Sequence, residues 1–289
     1  MRVARAVGEL ASVPRAVAVG TFDGVHRGHR RVLEATRAEP GLRPTVVTFT
    51  PHPRTVLGYQ VELLTTLERR LELIDEAGIE ESLVVEFTPE LAATEPEAFA
   101  DELLRPLGTQ RVVAGADFRF GHRRAGDLGL LQRLGFDVMP VEFIDGVSSS
   151  AIRELLQAGD VEAAARRLGR PAEVEGTVVA GDARGGTLGF PTANLRPEAG
   201  LLVPAYGIYA GSAAGHRAAV SIGTNPHYGG RERRIEAFLL EFAGDLYGQR
   251  LIVELWRRLR DERAFDDEAG LVAQIARDVD ETRRASPPV

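Results

Sequence analysis

GTFDGVHRGH, Gly20 to His29, lies between a short apolar run (Ala16, Val17, Ala18, Val19) and a segment carrying Val32, Leu33 and Ala35. A strand that enters a glycine-rich turn and leaves through a helix N-terminus presents unpaired backbone N–H groups to an anion. The positive end of the helix dipole faces the same way. Gly20, Gly24 and Gly28 lack the side chains that would hold a phosphate at a distance, and Thr21, Phe22 and Asp23 complete the turn. His26 and His29 stand where imidazole N–H groups reach the same anion. The stretch reads as a nucleotide-phosphate site, and it sets the frame for the first half of the chain.

Outward from this stretch, strand-like and helix-like segments alternate through residue 158. Strands are expected at Val17–Gly20, Thr45–Phe49, Leu83–Phe87, Val112–Ala114 and Val138–Phe143. Helices are expected over 28–37, 66–77 (capped by Gly78), 95–105 (Pro96 in its first turn) and 127–134. Near-continuous apolar strands separated by helices predict a parallel sheet covered on both faces. Ligands of such sheets sit at the carboxyl ends of the strands, where Gly20–His29 falls.

The texture changes beyond residue 158. A short alanine-rich helix over 160–168 and the turn LGRP, Leu168 to Pro171, predict a helical linker spanning 159–171. Residues 172–289 then read as β, with strands at Glu173–Ala180, Ile208–Gly211, Arg217–Ile222, Ile235–Phe242 and Leu251–Leu259 separated by glycine-rich turns. That is the pattern of a small antiparallel barrel. A closing helix over 267–283 is expected to bury Leu271, Val272, Ile275 and Val279. Two domains fit the length of 289 residues.

Composition excludes several chemistries. There is no Cys, so disulfides, thiolate catalysis and cysteine-ligated zinc are unavailable. All 35 basic residues are Arg, so no lysine-containing Walker A loop can be present. A net charge of −7 argues against nucleic acid as a main partner. No apolar run approaches the ~20 residues of a membrane span. No charged start followed by an apolar core is visible at the N-terminus, so no signal peptide, no membrane partner and a cytoplasmic location are expected.

Five further stretches carry candidate ligand contacts. TPHPR, Thr50 to Arg54, is stiffened by two prolines and offers His52, Pro53 and Arg54. GADFRFGHRRAGD, Gly115 to Asp127, follows the fourth strand with Asp117, Phe118, Arg119, Arg123 and Arg124. VSSSAIR, Val147 to Arg153, combines capping hydroxyls with an arginine one turn into a helix, where a guanidinium grips phosphate oxygens. GDARGGTLGFPTANL, Gly181 to Leu195, can wrap a phosphate chain, and its Thr192 hydroxyl and Asn194 carbonyl are hard oxygen ligands suited to Mg²⁺ with ATP. In RRIEAFLLEF, Arg233 to Phe242, Glu236 shares a strand face with Phe238 and Leu240. Apolar surroundings would raise its proton affinity and suit it to act as a general base, although periodicity leaves an outward-facing glutamate equally open.

FDGVHRGH together with VSSSAIR resembles the two signatures of the nucleotidylyltransferase superfamily, and specifically the adenylyltransferase module of bacterial bifunctional riboflavin kinase/FAD synthetases. Pro191-Thr192-Ala193-Asn194 is similar to the motif of riboflavin kinases. The resemblance spans nearly the whole chain. It implies a Rossmann-like nucleotidylyltransferase domain over 1–158 and an all-β riboflavin-kinase barrel over 172–289 with a terminal helix. Its substrates and products would be ATP, riboflavin, FMN and FAD, with Mg²⁺ as cofactor. By the same resemblance, Gly20–Gly24, Asp117, Ser149 and Ser150 line the nucleotide site, His52, Pro53 and Phe118 the flavin side, and His26, His29 and Arg153 stabilise the reacting phosphates. Gly181, Gly189 and Pro191 frame the kinase nucleotide, Thr192 and Asn194 hold its magnesium, Glu236 activates the ribityl 5′-hydroxyl, and Arg260 with Phe265 closes over the flavin. The chain departs from the family pattern at Ala116, Ser150, Ala183, Gly186 and His227. Two other readings stay open: only one active module, or a flavin- or nucleotide-binding sensor without turnover. The oligomeric state is not legible.

Overall fold

The structure, a computed structural model, describes residues 1–181, 190–224 and 233–288. It forms two compact units, Met1–Val61 with Leu67–Val147 and Glu62–Thr66 with Ser148–Val289.

The first unit is built on six parallel strands: β1 (Arg2–Ala4), β2 (Arg15–Val19), β3 (Arg43–Thr50), β4 (Glu81–Glu86), β5 (Thr109–Gly115) and β6 (Asp137–Val141). Their order across the sheet is β1-β4-β3-β2-β5-β6. The helices of this unit are α1 (Arg27–Arg37), α2 (Pro53–Val56), α3 (Leu67–Glu76), α4 (Pro89–Ala92), α5 (Pro96–Phe99) and α6 (Leu128–Arg133). Both sheet faces are covered. Val17, Val19, Val47, Phe49, Leu83 and Val112 enter one apolar core, while their neighbours Ala18, Val46 and Val113 enter the other. That alternation explains why these strands read as continuous apolar runs. The helix expected over 95–105 is α5 continued by a single π turn at Ala100–Leu104. The three-residue β1 carried too little pattern to be predicted. At the amino end of the sheet, Arg15 is wholly buried and pairs with Glu81 at 2.8 Å.

The order of strands makes a ligand cleft predictable. From β2 the chain runs outward through β3 and β4 on one side, and returns to β5 and β6 on the other. Strand order therefore reverses between β2 and β5, and loops leaving the carboxyl ends of the two diverge there. Gly20–His29 is the loop that leaves β2.

The second unit holds α7 (Ser149–Ala158) and α8 (Val161–Leu168), then strands β7 (Ala172–Val179), β8 (Ala193–Pro197), β9 (Gly207–Ala213), β10 (His216–Thr224), β11 (Arg233–Leu239) and β12 (Arg250–Arg260), and finally α9 (Glu268–Arg284). The strands close into an antiparallel barrel in the order β10-β11-β8-β7-β12-β9. Val174, Val178, Tyr209, Val220, Ile222, Ile235, Ala237, Val253 and Leu255 form one buried apolar cluster with Ile152 and Leu156 of α7. Those two residues explain why α7 packs with the barrel in this unit.

Ala193–Pro197, whose first residues end the glycine-rich stretch Gly181–Leu195, is a strand paired on both sides. One expectation is corrected. The buried stripe of α9 is Gln274, Asp278, Val279 and Thr282, so Val279 is buried as expected, whereas Leu271, Val272 and Ile275 are only half-buried. Its polar members are retained because they are bonded: Asp278 receives the Arg260 guanidinium, and Gln274 donates to Asp278 at 2.8 Å.

Candidate functional site

In the first unit, the turn after β2 is held in a costly backbone conformation. Phe22 (φ 50°) and Val25 (φ 38°) lie in the left-handed region beside Gly24 (φ 82°). Each non-glycine residue there costs about 1–3 kcal/mol, and such strain gathers at functional sites. Gly20 and Gly28 make room for neighbouring rings as well: a Cβ at Gly20 would meet the Phe22 ring at 3.2 Å, and one at Gly28 the His26 ring at 3.2 Å. Asp23 is 1% exposed.

The two histidines of the motif are brought together. Their rings stack with centroids 3.6 Å apart, and Phe22 packs edge-on to His29 at 5.2 Å. The His26 Nδ1 caps α1 by accepting the His29 backbone N–H at 3.3 Å. Acceptance at Nδ1 assigns the proton of neutral His26 to Nε2, which makes that atom a donor. The His29 Nδ1 is sealed from solvent and has no hydrogen-bond partner. Burial, then the neighbouring His26, then Arg70 all disfavour a charge on His29, whose pKa lies well below the usual imidazole value.

Arg70 was not singled out in the sequence. It lies on the buried face of α3 with Leu73 and Ile74 and is 2% exposed. Its Nη1 donates to the Thr48 hydroxyl at 3.2 Å and to the Phe49 carbonyl at 3.0 Å, while its Nε has no partner. The available signal was an arginine at helical spacing with apolar residues, which a solvent-facing charge does not show.

The loops from neighbouring strands supply the other predicted residues of this unit. His52 is buried and caps α2, accepting the Arg54 N–H at Nδ1 (3.2 Å), with Pro53 as the first helical residue. Beyond β5, Asp117 is exposed, and Phe118 stacks on Phe120 with centroids 5.6 Å apart. Ser149, Ser150 and Arg153 belong to α7 in the second unit. Ser148 is the cap, accepting the Ala151 N–H at 3.2 Å, and the Arg153 Nε donates to the Glu62 carbonyl at 2.6 Å.

In the barrel, the register sets Glu236 of β11 opposite Asn194 of β8. Ile235, Ala237 and Leu239 point inward, so Glu236 stands on the outer face, half-buried. Of the two faces that periodicity left open, it takes the outward one, among polar partners. The Arg234 guanidinium pairs with it, and the Thr192 hydroxyl donates to its Oε2 at 3.4 Å. Arg234 also donates to the Asn194 Oδ1, at 3.1 Å from Nε and 2.9 Å from Nη2. Pro191 is exposed at the start of this cluster. A side chain at Gly181 would overlap the Asn194 amide, so only glycine lets Asn194 lie there. Arg260 is held by Asp278, at 3.0 Å and 2.7 Å, with its guanidinium 5.9 Å from the Phe265 ring centre. Gly189 and the positions Ala183, Gly186 and His227 lie outside the described residues. Among the described residues, no group of three His, Cys, Asp or Glu side chains could hold a metal.

An α/β unit with a strained glycine-rich turn at the switch point of its sheet, followed by a closed barrel carrying an oxygen-donor cluster, fits a two-part nucleotide-dependent enzyme. Comparison with known proteins narrows the class. Residues 10–152 match the FAD synthetase family model and residues 168–286 the riboflavin kinase model. Proteins described as bifunctional riboflavin kinase/FMN adenylyltransferase are 35% identical in Listeria monocytogenes (95% of this chain, 93% of the relative) and 36% in Bacillus subtilis (93% and 91%). The Escherichia coli protein of that description is 35% identical, covering 96% of each chain. A solved structure described as a macrolide-efflux protein from Streptococcus pneumoniae superposes with a TM-score of 0.88 at 28% identity, covering 98% of this chain and 99% of that one. No helix among the described residues is long and apolar enough to cross a membrane. The chain belongs to the bifunctional riboflavin kinase/FMN adenylyltransferase family.

Proposed function

We infer that the barrel transfers the γ-phosphoryl group of ATP to riboflavin, giving FMN and ADP, and that the α/β unit converts FMN and a second ATP to FAD and pyrophosphate. The observation that carries this reading is that motifs for both reactions fold into clusters within one chain. One is the stacked His26–His29 pair on the strained turn, and the other is Thr192, Asn194 and Glu236 across β8 and β11.

For adenylyl transfer, an FMN phosphate oxygen attacks the α-phosphorus as the bond to the bridging β-phosphate oxygen breaks. The FMN phosphate is already a nucleophile, so no covalent enzyme intermediate is required. Gly20–Gly24, Ser149, Ser150 and Asp117 hold the nucleotide, and His52, Pro53 and Phe118 the flavin. The His26 Nε2–H, His29 and the Arg153 guanidinium stabilise charge on the transferred and departing phosphates.

For the kinase, Glu236 takes the proton of the ribityl 5′-hydroxyl as its oxygen attacks the γ-phosphorus. The Thr192 hydroxyl and Asn194 carbonyl are the oxygen donors that would hold a Mg²⁺ ion together with the nucleotide. Bound there, Mg²⁺ supplies neutralisation of phosphate charge. Arg234 contacts both Asn194 and Glu236, and its guanidinium would have to release them for a cation to be held there. Gly181, Gly189 and Pro191 frame the phosphates, and Arg260 with Phe265 closes on the flavin. The functional division runs 1–158 for adenylyl transfer, 159–171 as linker and 172–289 for phosphorylation. The protein acts in the cytoplasm on small molecules, without nucleic-acid or membrane partners.

Chromatography of flavins formed from riboflavin, ATP and Mg²⁺, with a parallel reaction started from FMN, tests this reading. FMN and then FAD from riboflavin, and FAD from FMN, are expected. Flavin binding without any product from either reaction would replace the enzyme with a sensor.

A further inference from the structure

We propose that Arg70 is a positioning residue of the adenylyl-transfer site, anchoring the phosphate-binding turn through Thr48. The inference rests on the reading of the first unit as the adenylyltransferase. Its basis is a relay across three elements. The Arg70 Nη1 on α3 donates to the Thr48 hydroxyl at 3.2 Å, and that hydroxyl donates onward to the Thr21 carbonyl at 3.2 Å. Thr21 immediately precedes Phe22, where the backbone enters the left-handed region. A carbonyl fixed at that point holds the entry to the strained turn that carries Asp23, His26 and His29. The second bond of Nη1, to the Phe49 carbonyl at the carboxyl end of β3, fixes the guanidinium itself.

Such an arginine is costly as a purely structural group. It is 2% exposed, its Nε has no partner, and burial lowers its own proton affinity, which the nearby Asp23 charge partly restores. Leu or Met at this position of α3 would pack with Leu73 and Ile74 without that cost. The titratable and charged groups bearing on His29 are the His26 ring on the motif loop and the Arg70 guanidinium on α3, and both oppose its protonation. Arg70 therefore favours a neutral His29 when the site is empty of phosphate, and adds positive potential where pyrophosphate charge develops.

The test uses the full chain, so that riboflavin phosphorylation in the barrel reports folding of each variant. In R70Q, kcat for FAD formation from FMN should fall about 10- to 100-fold, the scale on which small misplacements act. KM for ATP should change far less, and the acid limb of the pH–rate profile should move to higher pH. R70K should recover the pH profile and part of kcat. T48V, which cuts the relay and keeps the charge, should lower kcat without moving that limb. The His29 titration, followed by NMR in the same proteins, should shift upward in R70Q alone. Unchanged kcat and an unshifted His29 titration in R70Q would overturn the proposal. So would equal losses in both activities with no pH effect, the signature of a structural arginine. If the wild-type chain makes no FAD, the functional reading fails instead, and the NMR titration still decides whether Arg70 sets the state of His29.

Discussion

Gly181 and His29 show how much of the chemistry rests on single residues. The space beside Gly181 is filled by the Asn194 amide, so G181A must push Asn194 out of its array with Thr192 and Arg234. FMN formation should fall at least tenfold, while conversion of FMN to FAD stays within twofold of wild type, read as initial rates of the two reactions. His29 carries a different signature. Its folded pKa lies below the unfolded value of about 6.5, so the unfolded chain binds the proton first as pH falls. Its contribution is therefore a loss of stability that begins near pH 6.5 and continues downward to the folded pKa. Urea midpoints should drop as pH falls from about 6.5 to about 5.5, and H29Q should flatten that slope. The identities of both residues were legible in the sequence because glycine and histidine are distinctive in a short motif. Glu236 was legible only in part: alternation leaves two faces to choose from, and the choice went to the outer one, beside Arg234.

At the scale of elements, periodicity located the longer strands and helices because each buries a continuous apolar face. It failed where burial is polar. The inward stripe of α9 holds Gln274, Asp278 and Thr282, which its own pattern does not show, because their partner Arg260 comes from β12. Helix α3 hides Arg70 in the same way. Helix α7 is assigned to its unit by Ile152 and Leu156, both in the apolar cluster of the barrel unit. L156A should therefore cost about 2–5 kcal/mol in equilibrium unfolding, through lost transfer energy and the cavity left behind. Kinase activity should be lost at a lower temperature than in wild type. No temperature shift would mean that α7 is not part of that cooperative core.

For the whole molecule, two chemistries in one chain predict a separable defect. E236Q should lower FMN formation from riboflavin by about 10²–10⁴-fold, the usual worth of a positioned base, and leave FAD formation from added FMN near wild type. Replacing His29 should do the reverse, so that riboflavin is converted to FMN and no further. A mixture of the two variants supplied with riboflavin should then make FAD, because FMN released by one is the substrate of the other. Loss of both activities in either single variant would contradict independent sites.

The two-part α/β and barrel organisation and the residues of each motif are legible in the chain before any fold is known. These follow from local facts: apolar periodicity, glycines where side chains cannot fit, and hydroxyls at a helix start. Tertiary structure alone decided which distant residues meet. Pairing of β11 with β8 sets Glu236 across from Asn194, and the packing of α3 on β3 brings Arg70 to Thr48 and, through it, to Thr21. Such encounters depend on register and crossing of elements far apart in the chain, where no short-range pattern constrains which side chains will face each other.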